Sequence, residues 1–223
     1  MANLVIRPAT GAGNKVVVQD QAGAAVLTTA DSGATIANAT LTAPTVASMA
    51  NFTFPAGHVI QVVHTHLTTA SSTSLTASTG GVTGYANITD LNCTITPKQS
   101  NSNMLVHVRW NGEASAAQSQ DSSFGLNRDS TALGNPAAAS SRRQTLNCIS
   151  QNYFSADAGN TPDSSQFSFF DTSRSAGTSA ITYHATCQMA TTCTLYTNRT
   201  NNYGDNIWDE IMTSTIIIEE IAG

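Results

Sequence analysis

The chain has 223 residues, 40% hydrophobic and 10% charged, with a formal net charge of −5. This is too apolar for the disordered class, and with Lys15 and Lys98 as its only lysines it is too poor in cations to bind nucleic acid through phosphates. No apolar run approaches the roughly 18 residues of a membrane span, so no membrane insertion is expected.

The polar content is Ser, Thr, Asn and Gln, a neutral hydrogen-bonding surface that suits strands and protein seams. The first residues, Met-Ala-Asn-Leu-Val-Ile-Arg, show no basic start followed by an apolar core, so no signal peptide is expected. Cys93, Cys148, Cys187 and Cys193 form no Cys-x-x-Cys pair. In a reducing cytosol they read as free thiols. The five Asn-x-Ser/Thr sites, at Asn38, Asn51, Asn87, Asn92 and Asn198, read as a by-product of composition.

In chain order, Leu4, Val5 and Ile6 form a short apolar arm closed by Pro8. Gly11 to Lys15 lacks the spacing of a phosphate loop and reads as a turn. Strands are predicted over Lys15–Gln19, Ala24–Thr28 and Ala34–Leu41, separated by the Gly-containing turns Asp20–Gly23 and Asp31–Gly33. These thin hairpins have few apolar neighbours and are marginal alone. They become stable when several copies of the chain cover their apolar faces.

From Phe54 the chain is denser. Strands are predicted at Val59–Val63, Ile88–Thr96, Met104–Trp110, Ser123–Asn127, Gln166–Phe170, Ala180–Gln188, Cys193–Asn198 and Thr213–Ile221. Met104, Val106, Val108 and Trp110 share one face of their strand, and Leu105, His107 and Arg109 the other. Thr68–Gly84 and Ala132–Gln144 read as loops, and Asp205–Met212 is the one short helical candidate. Cys187 and Cys193 match in parity across the Met189–Thr192 turn, so they are expected side by side on a hairpin. Many short strands without an amphipathic helix argue an all-β fold, with a sandwich or jelly-roll-like head.

Several stretches carry a family resemblance. They are Gly13-Asn14-Lys15-Val16-Val17-Val18-Gln19-Asp20, Phe54-Pro55-Ala56-Gly57-His58 running to Val63, and Ile95-Thr96-Pro97-Lys98. Ser179-Ala180-Ile181-Thr182-Tyr183 and Ser214-Thr215-Ile216 running to Ile221 belong with them. The chain resembles tail-fibre-like virion proteins of marine and cyanobacterial bacteriophages. The resemblance implies a homotrimer made in the host cytoplasm and residing in the virion tail. Its N-terminus would dock on tail or baseplate proteins and its head on a host surface glycan or protein.

His64-Thr65-His66 is the sharpest local signal. Both imidazoles face the same side of a strand. With this strand near a trimer axis, six imidazoles would converge on one Fe, Ni or Zn ion. The plainer reading is two half-exposed histidines at a strand end. No other cofactor is expected. Carboxylates for a polysaccharide depolymerase would have to come from Asp163, Asp171, Asp205, Asp209 and Glu210, which match no catalytic motif. There is no Gly-x-Ser-x-Gly elbow, so catalytic residues are not assigned and the chain is read as a non-enzyme. Of the aromatics near loops (Tyr153, Phe154, Tyr203 and Trp208), Tyr203 and Trp208, with Asp205, are the candidates for receptor binding.

The sequence reading is therefore an attachment arm at 1–13, an intertwined β shaft at 14–53 and a β-sandwich head at 54–223. The expected function is a trimeric tail fibre, with a capsid-decoration fibre or a short tailspike depolymerase as alternatives.

Overall fold

Strands and the turns between them account for every named element. In a computed structural model, the described residues are 15–30, 33–36, 54–115, 121–149, 159–160, 162–207 and 209–223. The chain divides into two compact units, Met1–Asn51 and Phe52–Gly223. Among the described residues there is no α-helix and no helix long and apolar enough to cross a membrane.

In the first unit β1 (Val17–Gln19), β2 (Ala25–Ala30) and β3 (Gly33–Ile36) form an antiparallel sheet in that order. The turn between β1 and β2 is built by Asp20. Its Oδ1 accepts from the backbone N of Ala22 and Ala24, both at 2.9 Å, and its carbonyl accepts from Gly23 N at 3.1 Å. Gly23 takes φ +86°, a conformation that favours glycine. Described side chains over 15–29 are exposed or half-buried, and none is buried. Val17, Val18 and Val26 stand 46%, 49% and 38% exposed. The rest of the strand expected to Leu41, and the arm at Leu4, Val5 and Ile6, lie outside the described residues.

The second unit buries a core of its own. One sheet contains β4 (Val59–Leu67), β5 (Ser71–Leu75), β7 (Asn103–Ala114), β11 (Asp163–Asp171), β13 (Cys193–Thr197) and β14 (Ser214–Ile221). Its order is β4-β14-β7-β13-β5, with β11 also paired to β7. The other sheet contains β6 (Ala86–Ile95), β8 (Ser123–Arg128), β9 (Thr131–Leu133), β10 (Asn147–Cys148) and β12 (Ile181–Gln188). Its order is β10-β8-β12-β6, with β9 beside β8. The named strands of both sheets pair antiparallel, and the isolated bridges Ala77–Met189 and Gly81–Arg143 are parallel.

The apolar faces of the two sheets meet. Met104, Val106, Val108 and Trp110 are buried, as the alternation predicts, and Ile216 and Ile218 lie beside them. The opposing face supplies Ile88, Leu91, Ile95, Phe124, Leu126 and Tyr183. Trp110 reaches Phe124 across the core with ring centroids 4.8 Å apart, and its Nε1–H donates to Thr197 Oγ1 at 3.0 Å. Each such side chain contributes roughly 1.5–3 kcal/mol by leaving water.

Three expectations are corrected. The 68–84 stretch is not all loop. It contains β5, because Thr73 and Leu75 alternate inward while Ser72 and Ser74 face out, and β13 provides the partner. Asp205–Met212 forms no helix among its described residues; its turns are held by side-chain hydrogen bonds. Cys187 and Cys193 do not share a hairpin, since β12 and β13 belong to different sheets.

The chain enters the second unit at Pro55–His58, against the end of β14. Gly57 N donates to Ala222 O, and Ala222 N to His58 O, both at 2.8 Å. The β4–β14 ladder runs from there to the Leu67–Ser214 pair, about 27 Å away at ~3.4 Å per residue. The segment 198–213 emerges at that far end.

Candidate binding site

Asn198 starts the site. It is buried with φ +63°, a left-handed turn that asparagine tolerates, at the point where β13 succeeds β14 beside β7. Its Nδ2 donates to Leu67 O and Thr69 O at 2.8 and 3.0 Å, and its Oδ1 accepts from Ser214 Oγ at 2.7 Å. An asparagine used in this way is no glycan acceptor, whatever its sequon.

The following segment folds back over the outer side of the sheet. Glu113, paired with Tyr196 and fully buried, accepts from Asn201 N at 2.6 Å. Asn202 N donates to Gly159 O, and Met212 N to Asn198 O. Asp209 Oδ2 accepts from Gly204 N at 2.7 Å and Asn206 Nδ2 at 2.6 Å. The backbone N–H groups of Asn201, Asn202, Gly204 and Met212 are thus tied down, and exposed side chains stand between them.

Those side chains are unusual. Ile207 is 87% exposed, Ile211 70% and Tyr203 49%. Arg199 lies against two rings, its Cζ 4.1 Å from the Tyr196 centroid and 4.4 Å from that of Tyr203. Its Nε and Nη2 donate to the carbonyls of Thr200 and Asn201. The guanidinium is therefore immobilised by cation–π contact and by hydrogen bonds together. Beside it opens a pocket of 180 Å³ lined by Ala70, Ser71, Ser72, Arg199 and Tyr203.

Of the sequence candidates, Tyr203 and Asp205 fall on this one segment, and Asp205 is exposed. Trp208 lies outside the described residues, as do Tyr153 and Phe154. The sequence reading missed Arg199, Tyr196 and Ser72. A Tyr-x-x-Arg spacing at a strand end was the only signal for the first two, and it acquires meaning only through the turn at Asn198.

His64 and His66 lie elsewhere, exposed on β4 at the edge of its sheet. They face the same way, in register with Ile217 and Thr215. His107 extends the row through Ile217, with Nδ1 2.8 Å from Ser168 Oγ and Nε2 3.8 Å from a Glu219 carboxylate oxygen. Among the described residues of one chain, no three His, Cys, Asp or Glu side chains are grouped to hold a metal ion.

Asp163 and Asp171 do not face a common cleft. Asp163 and Asp171 are both buried, at opposite ends of β11, about 27 Å apart by strand rise. A glycosidase pair needs roughly 5–9.5 Å. Asp171 is held by Arg128, Tyr183 and Ser173. Asp209 braces the backbone of its own segment, and Asp205 and Glu210 are exposed.

No protein-family model matches the chain, and no curated protein is significantly similar to it.

Proposed function

We propose that this protein is an oligomeric attachment fibre of a virion. The N-terminal unit serves as an intertwined β shaft, and the C-terminal unit is the sandwich-like head that meets the host surface. One observation carries the reading. The first unit has no buried side chain over residues 15–29, while the second has a full core. A three-stranded sheet of this size gains its stability by association, and three copies winding together would cover Val17, Val18 and Val26. A binding role for the head is supported by the exposed Tyr203, Asp205, Ile207 and Ile211, which follow Asn198 at the opposite end of the β4–β14 pair from where the chain enters the unit. Tyr203, Asp205 and Trp208 are the proposed receptor contacts, and Leu4, Val5 and Ile6 the contacts to tail or baseplate proteins. A metal held by His64 and His66 on a trimer axis belongs to the same proposal.

Sedimentation of the full chain tests assembly. A trimer is expected at micromolar concentration. Val17→Asp should dissociate it while leaving the head's melting unchanged, since each covered side chain contributes about 1–2 kcal/mol to the seam. A folded monomer of the wild-type chain sinks the proposal.

A further inference from the structure

We infer that the 180 Å³ pocket between the start of β5 and the 199–203 segment is a subsite for one neutral pyranose ring. The inference rests on reading the head as the binding end, and it adds the ligand chemistry.

Size comes first. The pocket is well below the roughly 300–1,000 Å³ of drug-sized sites, so it suits a single small ring. Its chemistry is that of a polyol receptor. Tyr203, 49% exposed, offers an aromatic surface to the C–H face of a sugar. Arg199 Nη1 is not engaged by any hydrogen bond among the described residues, while Nε and Nη2 are spent on backbone carbonyls. It is thus a pre-positioned donor for a ring hydroxyl. Ser72 faces outward beside Tyr196, and its hydroxyl both donates and accepts.

Charge selects against acidic sugars. Asp205, Asp209 and Glu210 lie in the same segment as Arg199, and the Glu113 carboxylate lies beneath it. Within residues 199–212 one arginine stands against three acids, a negative balance that disfavours a carboxylate or sulfate ligand. Rigidity favours binding, because the bracing of Arg199 is completed before any ligand arrives.

Saturation-transfer NMR on the full chain tests this with methyl glycopyranosides of glucose, galactose and mannose, and with sodium glucuronate. Transfer to ring protons of at least one neutral glycoside is expected, with weaker transfer to glucuronate. Tyr203→Ala should weaken binding about tenfold, the loss of one good aromatic contact, and Tyr203→Phe should retain it. Ser72→Gln, which fills the pocket from the opposite wall, should abolish it. Circular dichroism melts check that each variant is folded. No transfer to any neutral glycoside, stronger transfer to glucuronate, or undiminished transfer in both Tyr203→Ala and Ser72→Gln overturns the subsite. A trimer that binds no glycoside overturns the subsite and leaves the assembly reading standing. A monomer that binds a glycoside does the reverse.

Discussion

Arg128 and Asp171 form an ion pair at 2.7 Å that ties β8 of one sheet to the end of β11 in the other. The Asp171 side chain is fully buried and that of Arg128 is 16% exposed. Tyr183 OH donates to the same carboxylate oxygen, and Ser173 N and Oγ donate to the second one. A buried carboxylate is tolerable because every lone-pair direction is answered.

Removing one partner should therefore hurt more than removing both. Asp171→Ala leaves a largely buried guanidinium without its counter-charge and is expected to cost about 3–5 kcal/mol. Arg128→Met combined with Asp171→Leu should cost less than Asp171→Ala alone. Urea unfolding of the three proteins checks this. A double variant weaker than the single one would contradict it.

Acid stability should depend on two carboxylates. Burial pushes Glu220 up, but donors from Ser102, Lys98, Gln99 and Gln61 outweigh it and hold the carboxyl below its ordinary 4.5. Asp171 is likewise pushed up by burial and held below 3.8 by Tyr183, Ser173 and Arg128. Each contributes stability that is complete above its ordinary value and lost as pH falls through its lower folded value. His184, depressed by burial from 6.5, begins the decline. Cys187, raised by burial above 9.0, contributes stability below that value that is lost as pH rises further. A melting-temperature profile should show a plateau between 6.5 and 9.0 and a steep acid limb below 4.5. Glu220→Gln should flatten that limb; an unchanged limb would count against the assignment.

Gly112 and Gly57 should respond differently to alanine. A Cβ on Gly112 would run into the Tyr196 carbonyl and the Trp110 ring, where β7 meets β13. Overpacking against backbone is expected to cost about 3 kcal/mol or more. Gly57, at φ +86°, faces open space, so Gly57→Ala should cost only about 1 kcal/mol of backbone strain. Thermal melts of the two variants give the comparison directly, and equal losses would refute it.

The thiols should fall into two classes. Cys148 is exposed, Cys93 and Cys187 are buried, and Cys193 is half-buried with its Sγ against the Met189 sulfur. Burial raises the pKa of Cys93, Cys187 and Cys193, which suppresses their thiolates. Native protein treated with a disulfide reagent should show one fast thiol, absent from Cys148→Ser, with the other three reacting on unfolding. A fast thiol persisting in Cys148→Ser would contradict this.

Much of the fold was legible because its strands alternate. Met104 to Trp110 and Ser214 to Ile221 declare an inward face by period alone. Ser71–Leu75 did not, because Ser-Ser-Thr-Ser has the composition of a loop and only Thr73 and Leu75 turn inward. Parity placed Cys187 and Cys193 on the core side but carries no information about which sheet each strand joins. Tyr203 and Asp205 were singled out as candidates from composition around a turn. Arg199 was not, since its role depends on a left-handed residue at Asn198 and a carboxylate at Glu113, far away in sequence.

The pairing of β4 with β14 has a mechanical meaning. In the proposed fibre, traction entering at Pro55–His58 would pull β4 toward that end, while a ligand held beside Arg199 and Tyr203 would pull β14 the other way. The two antiparallel neighbours are then loaded in shear. Eight paired positions resist together, instead of parting one rung at a time as they would if peeled. A particle tugged by flow while held at the head would strain the ladder in its toughest direction.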